Sequence, residues 1–291
     1  MDTVLVAGAG AMGSQIAMVC ALAGLEVGLT DLDPATLTKA ERELRDRMSR
    51  QVAKGRRSPA EMDQAFARLR LGTDLPAMTE VDLVIEAVVE KLEVKRSLFA
   101  ELDRRCPHHT ILASNSSSFV PSSMADATTR ADRFLNLHFF NPALVMRCVE
   151  VVRGPQTSDA TIEAATELVE RLGKLPVVLD REIPGFVANR ILGAVRDEAI
   201  RLLEGGYASI EAIDTACRTA LGYPMGPFEL MDLTGIDIGY LTKQARFEAT
   251  GDPADAPSAT VRAKVEAGHL GRKTGRGFYT YDEHGTRIGA R

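Results

Sequence analysis

The chain has 291 residues, of which 45% are hydrophobic and 26% charged, and carries a formal net charge of −5. That length allows one large or two ordinary domains, the composition is that of a soluble globular protein, and the acidic balance argues against a nucleic-acid binder. Four scattered cysteines, Cys20, Cys106, Cys148 and Cys217, show neither CxxC nor metal-ligand spacing, so free thiols in a cytoplasmic protein are expected, with no disulfide and no metal.

Residues 3–25 carry no charged side chain, a feature shared by leader peptides and membrane spans. An acid rather than a basic region precedes them, glycines punctuate them and Ser14-Gln15 interrupts them, so a strand, a tight turn and a helix fit better than a membrane segment. Residues 3–7 are a short apolar run of buried-strand type, Gly8-Ala9-Gly10-Ala11-Met12-Gly13 makes the turn, and residues 14–23 continue as a helix. In such a turn Gly8 permits the bend, Gly10 lets the backbone approach a pyrophosphate and Gly13 lets helix and strand pack closely. The phosphate then sits on the free N–H groups that open the helix, at Ala11 and Met12.

A second strand, residues 25–30, ends in Asp31. An acid about 20 residues beyond the glycines can accept both ribose hydroxyls of an adenosine. It would repel a 2′-phosphate, and Leu32 supplies no cation beside it, so NAD is expected rather than NADP. Residues 34–57 read as one long helix with eight basic residues from Lys39 to Arg57 against three acids. This is either a solvated face or a place for a phosphate-bearing substrate. Ser58-Pro59-Ala60-Glu61 carries the cap, first-turn proline and third-position acid of a new helix, which predicts a helical hairpin inserted before the next strand.

Residues 81–88 form a third buried strand, 91–105 a helix and 110–113 a fourth strand, ending in Ser114-Asn115-Ser116-Ser117-Ser118. Polar residues past a strand's carboxyl end lie where open α/β sheets bind ligands; a plain polar turn is the alternative. There is no G-x-S-x-G elbow, which argues against a serine nucleophile.

Residues 134–140 and 147–152 are strands around Asn141-Pro142. Folded about Leu144, they place His138 opposite Glu150 on one face. A carboxylate beside an imidazole fixes its tautomer and stabilises its protonated form, as a general base on an alcohol requires; spacing alone favours a structural histidine in a buried strand. Residues 158–172 are helical, 175–179 form a last strand, and the first domain closes near Asp180.

Beyond that point helical patterns dominate: a long helix starting at Pro184-Gly185 and running to about Glu204, another over 210–221, and more before the glycine-rich tail. Asn189 is a polar residue among apolar neighbours and needs partners, either core groups or a ligand. The tail GRKTG is no P-loop, because Arg272 stands where that motif needs glycine.

The segments VAGAGAMGSQIA, VIEAVVEKLEVK, ASNSSS, LHFFNP, VMRCVEVV, IPGFVANR, YPMGPFEL and GRKTGRGFY run from residue 4 to 279 and together resemble the 3-hydroxyacyl-CoA dehydrogenase family, most closely its single-function 3-hydroxybutyryl-CoA members. The resemblance implies a Rossmann-type, mostly parallel sheet domain with a helical hairpin insertion over residues 1–182. An all-α domain over residues 183–291 would then serve the substrate and a homodimer interface. It implies NAD as cofactor and a substrate carried on coenzyme A, with a place in fatty acid metabolism. It makes His138 the general base, Glu150 its orienting acid, and Ser117 and Asn189 the groups that hold the reacting oxygen. Asp31, Glu90, Lys95, Ser117, Asn141 and Lys273 match groups lining the cofactor site, and Lys54 the basic stretch used for coenzyme A phosphates. The sequence departs from the family pattern at Cys148, where larger aliphatics are common, and by one extra residue before the PGF motif. Two alternatives stay open: the same chemistry on an acyl-carrier-protein thioester or a free hydroxy or sugar acid, and a non-catalytic cofactor-binding protein. No hydratase or thiolase segment is expected within this length.

Overall fold

Short apolar runs in the first half of the chain become the strands of one sheet. In the computed structural model, residues 1–73 and 80–290 are described. Strands β1 (Thr3–Ala7), β2 (Glu26–Thr30), β3 (Leu69–Gly72), β4 (Leu83–Glu86), β5 (Ile111–Ser114), β6 (Phe134–Phe139), β7 (Cys148–Arg153) and β8 (Leu175–Leu179) form an eight-stranded sheet in the order β3-β2-β1-β4-β5-β6-β7-β8. The strands from β3 to β6 run parallel, and β7 and β8 run against them. Parallel strands need both faces covered, and side-chain alternation supplies two apolar faces. Val4, Val6, Leu83 and Ile85 pack toward α1 (Ala11–Leu22), α2 (Pro34–Ala53), α3 (Pro59–Ala67) and α6 (Asp159–Arg171). Leu5, Val84 and Leu112 pack on the other side with Phe99 and Leu102 of α4 (Leu92–Arg105) and Met124 of the short α5 (Ser122–Ala125).

The expected helical hairpin is present but its first arm is shorter. Helix α2 stops at Ala53, and Gly55, with φ of 65°, turns the chain. The Ser58 hydroxyl then accepts from the Glu61 N–H at 3.2 Å, and the Glu61 carboxylate accepts from the Ser58 N–H at 2.7 Å, which opens α3. Sequence reading misses β3, because the four residues LRLG are too short and too charged to register as an apolar run; among the described residues they pair with β2 alone, at the sheet edge.

The chain divides into two compact units, Met1–Val187 and Ala188–Arg291. The second contains α7 (Ala188–Glu204), α8 (Ile210–Ala220), α9 (Pro227–Thr234), α10 (Ile236–Thr250) and α11 (Ala259–Glu266). Two expectations need correction here. Helix α7 begins at Ala188 rather than Pro184, because Gly185 (φ 79°) and Phe186 (φ 49°) are left-handed and cannot open a right-handed helix. The second unit is also not purely helical: β9 (Tyr279–Tyr281) pairs antiparallel with β10 (Arg287–Ala290). Buried Asp232 anchors that ribbon by accepting from the N–H groups of Phe278 and Tyr279 and from the Tyr281 hydroxyl, each at 2.9 Å. Asp214 caps α9 through the Phe228 and Glu229 N–H groups and accepts from the Tyr279 hydroxyl.

Candidate active site

Strands β2 and β3 lie on one side of β1 and β4 on the other. This reversal of strand order opens a crevice at the carboxyl ends of β1 and β4, and the glycine turn occupies it. Gly8 has φ of 106°, and a Cβ there would lie 2.5 Å from the Ala87 carbonyl oxygen. A Cβ on Gly13 would lie 1.8 Å from the Gly8 oxygen, so helix α1 can seat on the turn only without one. Gly10 differs from both: among the described residues a Cβ there meets no atom within 4 Å, so their packing does not require glycine and leaves space for a ligand. Gly10 caps α1 without a side-chain hydrogen bond, and the first turn of the helix holds no acid. The N–H groups and positive dipole end at Ala11 and Met12 are therefore available to an anion.

Asp31 follows β2. Its Oδ2 accepts from the Ala9 N–H at 2.8 Å and its Oδ1 from the Asp33 N–H at 3.1 Å, so the acid is fastened to the glycine turn. Leu32 beside it is 93% exposed and brings no cation. A carboxylate acceptor with no cation beside it fits a dinucleotide carrying free ribose hydroxyls.

Because β4, β5 and β6 are parallel to β1, the residues after β5 and the end of β6 lie along the same edge of the sheet. In the β6–β7 ladder His138 pairs with Glu150, the register that folding about Leu144 predicts. His138 Nδ1 lies 2.7 Å from Glu150 Oε2, and both side chains are buried. Glu150 Oε1 accepts from the Val187 N–H at 3.0 Å. An ionised carboxylate can only accept, so the Nδ1 bond places the ring proton on Nδ1 in the neutral imidazole and leaves Nε2 as the acceptor. Nε2 makes no hydrogen bond among the described residues. The loop closing this hairpin, which starts at exposed Asn141, is pinned by buried Lys174, whose Nζ donates to the carbonyls of Ala143 (2.6 Å) and Met146 (2.7 Å).

A buried polar network that the sequence reading missed supports the serine loop. Glu86, at the end of β4, accepts from Lys95 Nζ at 2.6 Å, the Ser114 hydroxyl at 2.6 Å and the Val88 N–H at 2.8 Å. Lys95 also reaches Glu90 at 3.0 Å, and Glu90 accepts from the Ser116 hydroxyl at 2.5 Å and the Ser118 N–H at 3.1 Å. Burial acts to raise the Glu90 carboxyl, but these bonds and the Lys95 charge outweigh it and hold it below its ordinary value. Asn136 of β6 donates to the carbonyls of Ser116 (3.3 Å) and Phe119 (2.8 Å), and Asn115 Oδ1 accepts from the Phe139 N–H at 2.9 Å. An acid inside the apolar run VIEAV, nine residues before a lysine, is the signal that could have revealed Glu86.

The network holds Ser117 at an exposed position, where its hydroxyl makes no hydrogen bond among the described residues. Lys95, at 1% exposure, lies beneath the loop in ion pairs with Glu86 and Glu90. Lys54 is exposed at the end of α2, where it, Arg50 and Arg56 make no ion pair among the described residues. Asn189 is half-buried in the first turn of α7, and Lys273 gives its ammonium to both oxygens of Asp237 at 2.6 Å; both belong to the second unit. The four cysteines are free, and burial raises each thiol above its ordinary value, Cys20 to about 12.

Oxidising an alcohol by hydride transfer needs a dinucleotide and a base for the hydroxyl proton; the glycine turn suits the first and the buried His138–Glu150 pair has the chemistry for the second, the combination of a nicotinamide-dependent dehydrogenase. The NAD binding domain of 3-hydroxyacyl-CoA dehydrogenase matches residues 3–183, and the C-terminal domain of the same enzymes matches residues 185–281. The chain belongs to the 3-hydroxyacyl-CoA dehydrogenase family, and NAD is its cofactor. It is 39% identical over 280 residues to a probable 3-hydroxybutyryl-CoA dehydrogenase of Bacillus subtilis, covering 96% of this chain and 97% of that one. It is 42% identical over 285 residues to the mitochondrial hydroxyacyl-coenzyme A dehydrogenase of Homo sapiens, covering 96% and 90%. Among solved structures, (S)-3-hydroxybutyryl-CoA dehydrogenase from Ralstonia eutropha superposes with a TM-score of 0.91 at 38% identity, covering 97% of this chain and all of that one.

Proposed function

We propose that this dehydrogenase interconverts short (S)-3-hydroxyacyl-CoA and 3-ketoacyl-CoA thioesters, with 3-hydroxybutyryl-CoA and acetoacetyl-CoA as its pair, and that His138, Glu150, Ser117 and Asn189 carry the chemistry. The observation that supports this reading best is the buried Nδ1–carboxylate bond at 2.7 Å, with Nε2 free to accept. His138 Nε2 takes the hydroxyl proton. Glu150 keeps the ring in the tautomer that can accept and stabilises the imidazolium that forms. Ser117 and Asn189 donate hydrogen bonds to the oxygen as its charge develops. Bound NAD would supply the acceptor for the hydride that leaves carbon 3. Gly8, Gly10, Ala11, Met12 and Gly13 receive its pyrophosphate and Asp31 its adenosine ribose, while Glu90, Lys95, Asn141 and Lys273 support the site around it. Oxidation releases a proton, so each unit of pH moves the equilibrium toward ketone by about 1.4 kcal/mol; reduction is favoured near neutral pH.

Residues 1–182 serve the dinucleotide, and residues 183–291 serve the substrate and a homodimer interface in a cytoplasmic enzyme of fatty acid metabolism. Exposed Ile191, Leu221, Ile238 and Leu241 give the second unit apolar surface for a second copy to cover. Lys54 and its neighbouring arginines provide positive charge for the coenzyme A phosphates.

The test follows NADH loss with acetoacetyl-CoA, running NADPH, free acetoacetate and an acyl-carrier-protein thioester in parallel. Rapid turnover with NADH and the coenzyme A ester alone is expected. No turnover with that ester, while NADH still binds, would move the substrate assignment to another carrier or acyl group.

A further inference from the structure

Among the described residues, every positive φ belongs to a glycine except one: Phe186, at 49°. A bulky side chain holds this conformation only where its surroundings over-determine it, and such residues cluster at functional sites. Phe186 is 1% exposed and packs with Val120, Val152 and Leu179. Its N–H donates to the Ile183 carbonyl at 3.0 Å, which closes a turn, and Gly185 before it is also left-handed.

Both ends of this strained residue meet the His138–Glu150 pair. Its ring centroid lies 5.3 Å from that of His138, tilted by 56°, and Phe140 makes a similar contact at 4.5 Å and 59°. The next peptide N–H, that of Val187, donates to Glu150 Oε1, while Oε2 of the same carboxylate faces His138. A right-handed or extended Phe186 would redirect the chain that carries this N–H.

We propose that Phe186 is a positioning residue for the reaction: its ring holds the His138 imidazole in place, and its left-handed backbone delivers the Val187 N–H that fixes the Glu150 carboxylate. This rests on the reading of His138 as base and Glu150 as its orienting acid. The role concerns geometry in the dyad rather than affinity for either ligand, and misplacement of about 1 Å at a reacting group can lower a rate by about 100-fold.

A double-mutant cycle separates this role from a merely structural one. Phe186→Leu keeps apolar bulk and removes the ring; it is expected to lower kcat by about 10- to 100-fold, with the KM for acetoacetyl-CoA and the Kd for NADH within about twofold of wild type. In a His138→Ala background the same substitution is expected to change the residual kcat by less than about twofold, because the group it positions is gone. Equal loss in both backgrounds, or unchanged kcat in the single variant, would overturn the proposal. His138→Ala at wild-type turnover would overturn the dyad reading, visible in that single variant alone, and the proposal with it. Phe186→Met, which fills the same space more adaptably, replaces the leucine variant if the latter does not fold. Amide hydrogen exchange reads the second contact: the Val187 N–H, bonded to Glu150 Oε1, is expected to be protected in the wild-type protein and to lose about tenfold or more of that protection in Glu150→Ala. Equal Val187 exchange in the two proteins contradicts the backbone half of the proposal.

Discussion

His138 and Glu150 are directly opposed residues of one antiparallel ladder, and the register that pairs their backbones also brings their side chains together at 2.7 Å. Cross-strand neighbours on one face are held at a separation that two medium-length polar side chains can bridge. A one-residue slip of β7 would turn Glu150 to the opposite face, together with the apolar side chains that the register buries. The core that fixes β7 in register therefore fixes the dyad as well.

The three glycines of the turn are predicted to fail in different ways. Gly13→Ala and Gly8→Ala place a methyl group against backbone atoms at 1.8 and 2.5 Å and should destabilise the fold by more than about 3 kcal/mol, or prevent folding. Gly10→Ala meets open space at an extended backbone and should leave stability within about 1 kcal/mol of wild type. Its NADH Kd should rise by about tenfold or more, equivalent to about 1.4 kcal/mol. Denaturant melts and NADH fluorescence titrations of the three variants check the contrast.

Asp31, the proposed ribose ligand, is fastened to the glycine turn by its bond with the Ala9 N–H. Asp31→Asn keeps an oxygen for that bond but removes the charge that repels a 2′-phosphate. The ratio of NADPH Kd to NADH Kd is predicted to fall by about tenfold, or about 1.4 kcal/mol. An unchanged ratio would mean that discrimination resides elsewhere.

Glu90 should contribute stability that depends on pH. Its folded carboxyl lies below the ordinary value of 4.5, so between the two values the unfolded chain binds more protons, and stability rises with pH there. The contribution is present above 4.5 and lost as pH falls through the lower folded value. The Tm difference between wild type and Glu90→Gln should therefore be widest near neutrality and close on acidification below pH 4.5. A gap that widens in acid would contradict the network's role.

Much of the sheet and half of the candidate site are legible in the sequence, because each depends on local pattern. The glycine turn needs backbone freedom at fixed spacing, and the hairpin register follows from two apolar strands around Asn141-Pro142. Strand β3 is not legible, since LRLG gains its place only by pairing with Val27 to Thr30. Nor is the Glu86–Lys95–Glu90 network, whose bonds join two strand ends and a helix. Apolar patterning likewise carries no sign that Phe186 is left-handed: PGF reads as a helix start, and the tertiary contacts of its ring and of the following N–H decide otherwise. The exposed Ser117 looks like any polar turn until the bonds that hold its neighbours Ser116 and Ser118 are seen.

The central claim is that His138, oriented by Glu150, moves the substrate proton. The direct measurement is steady-state NADH oxidation with acetoacetyl-CoA by His138→Ala and Glu150→Ala, with NADH affinity measured on the same preparations. Turnover should fall by about 100- to 10,000-fold in each, while NADH Kd stays within about threefold of wild type, about 0.6 kcal/mol. Both variants retaining wild-type turnover with intact NADH binding would contradict it, and the buried imidazole–carboxylate pair would then be a feature of the fold alone.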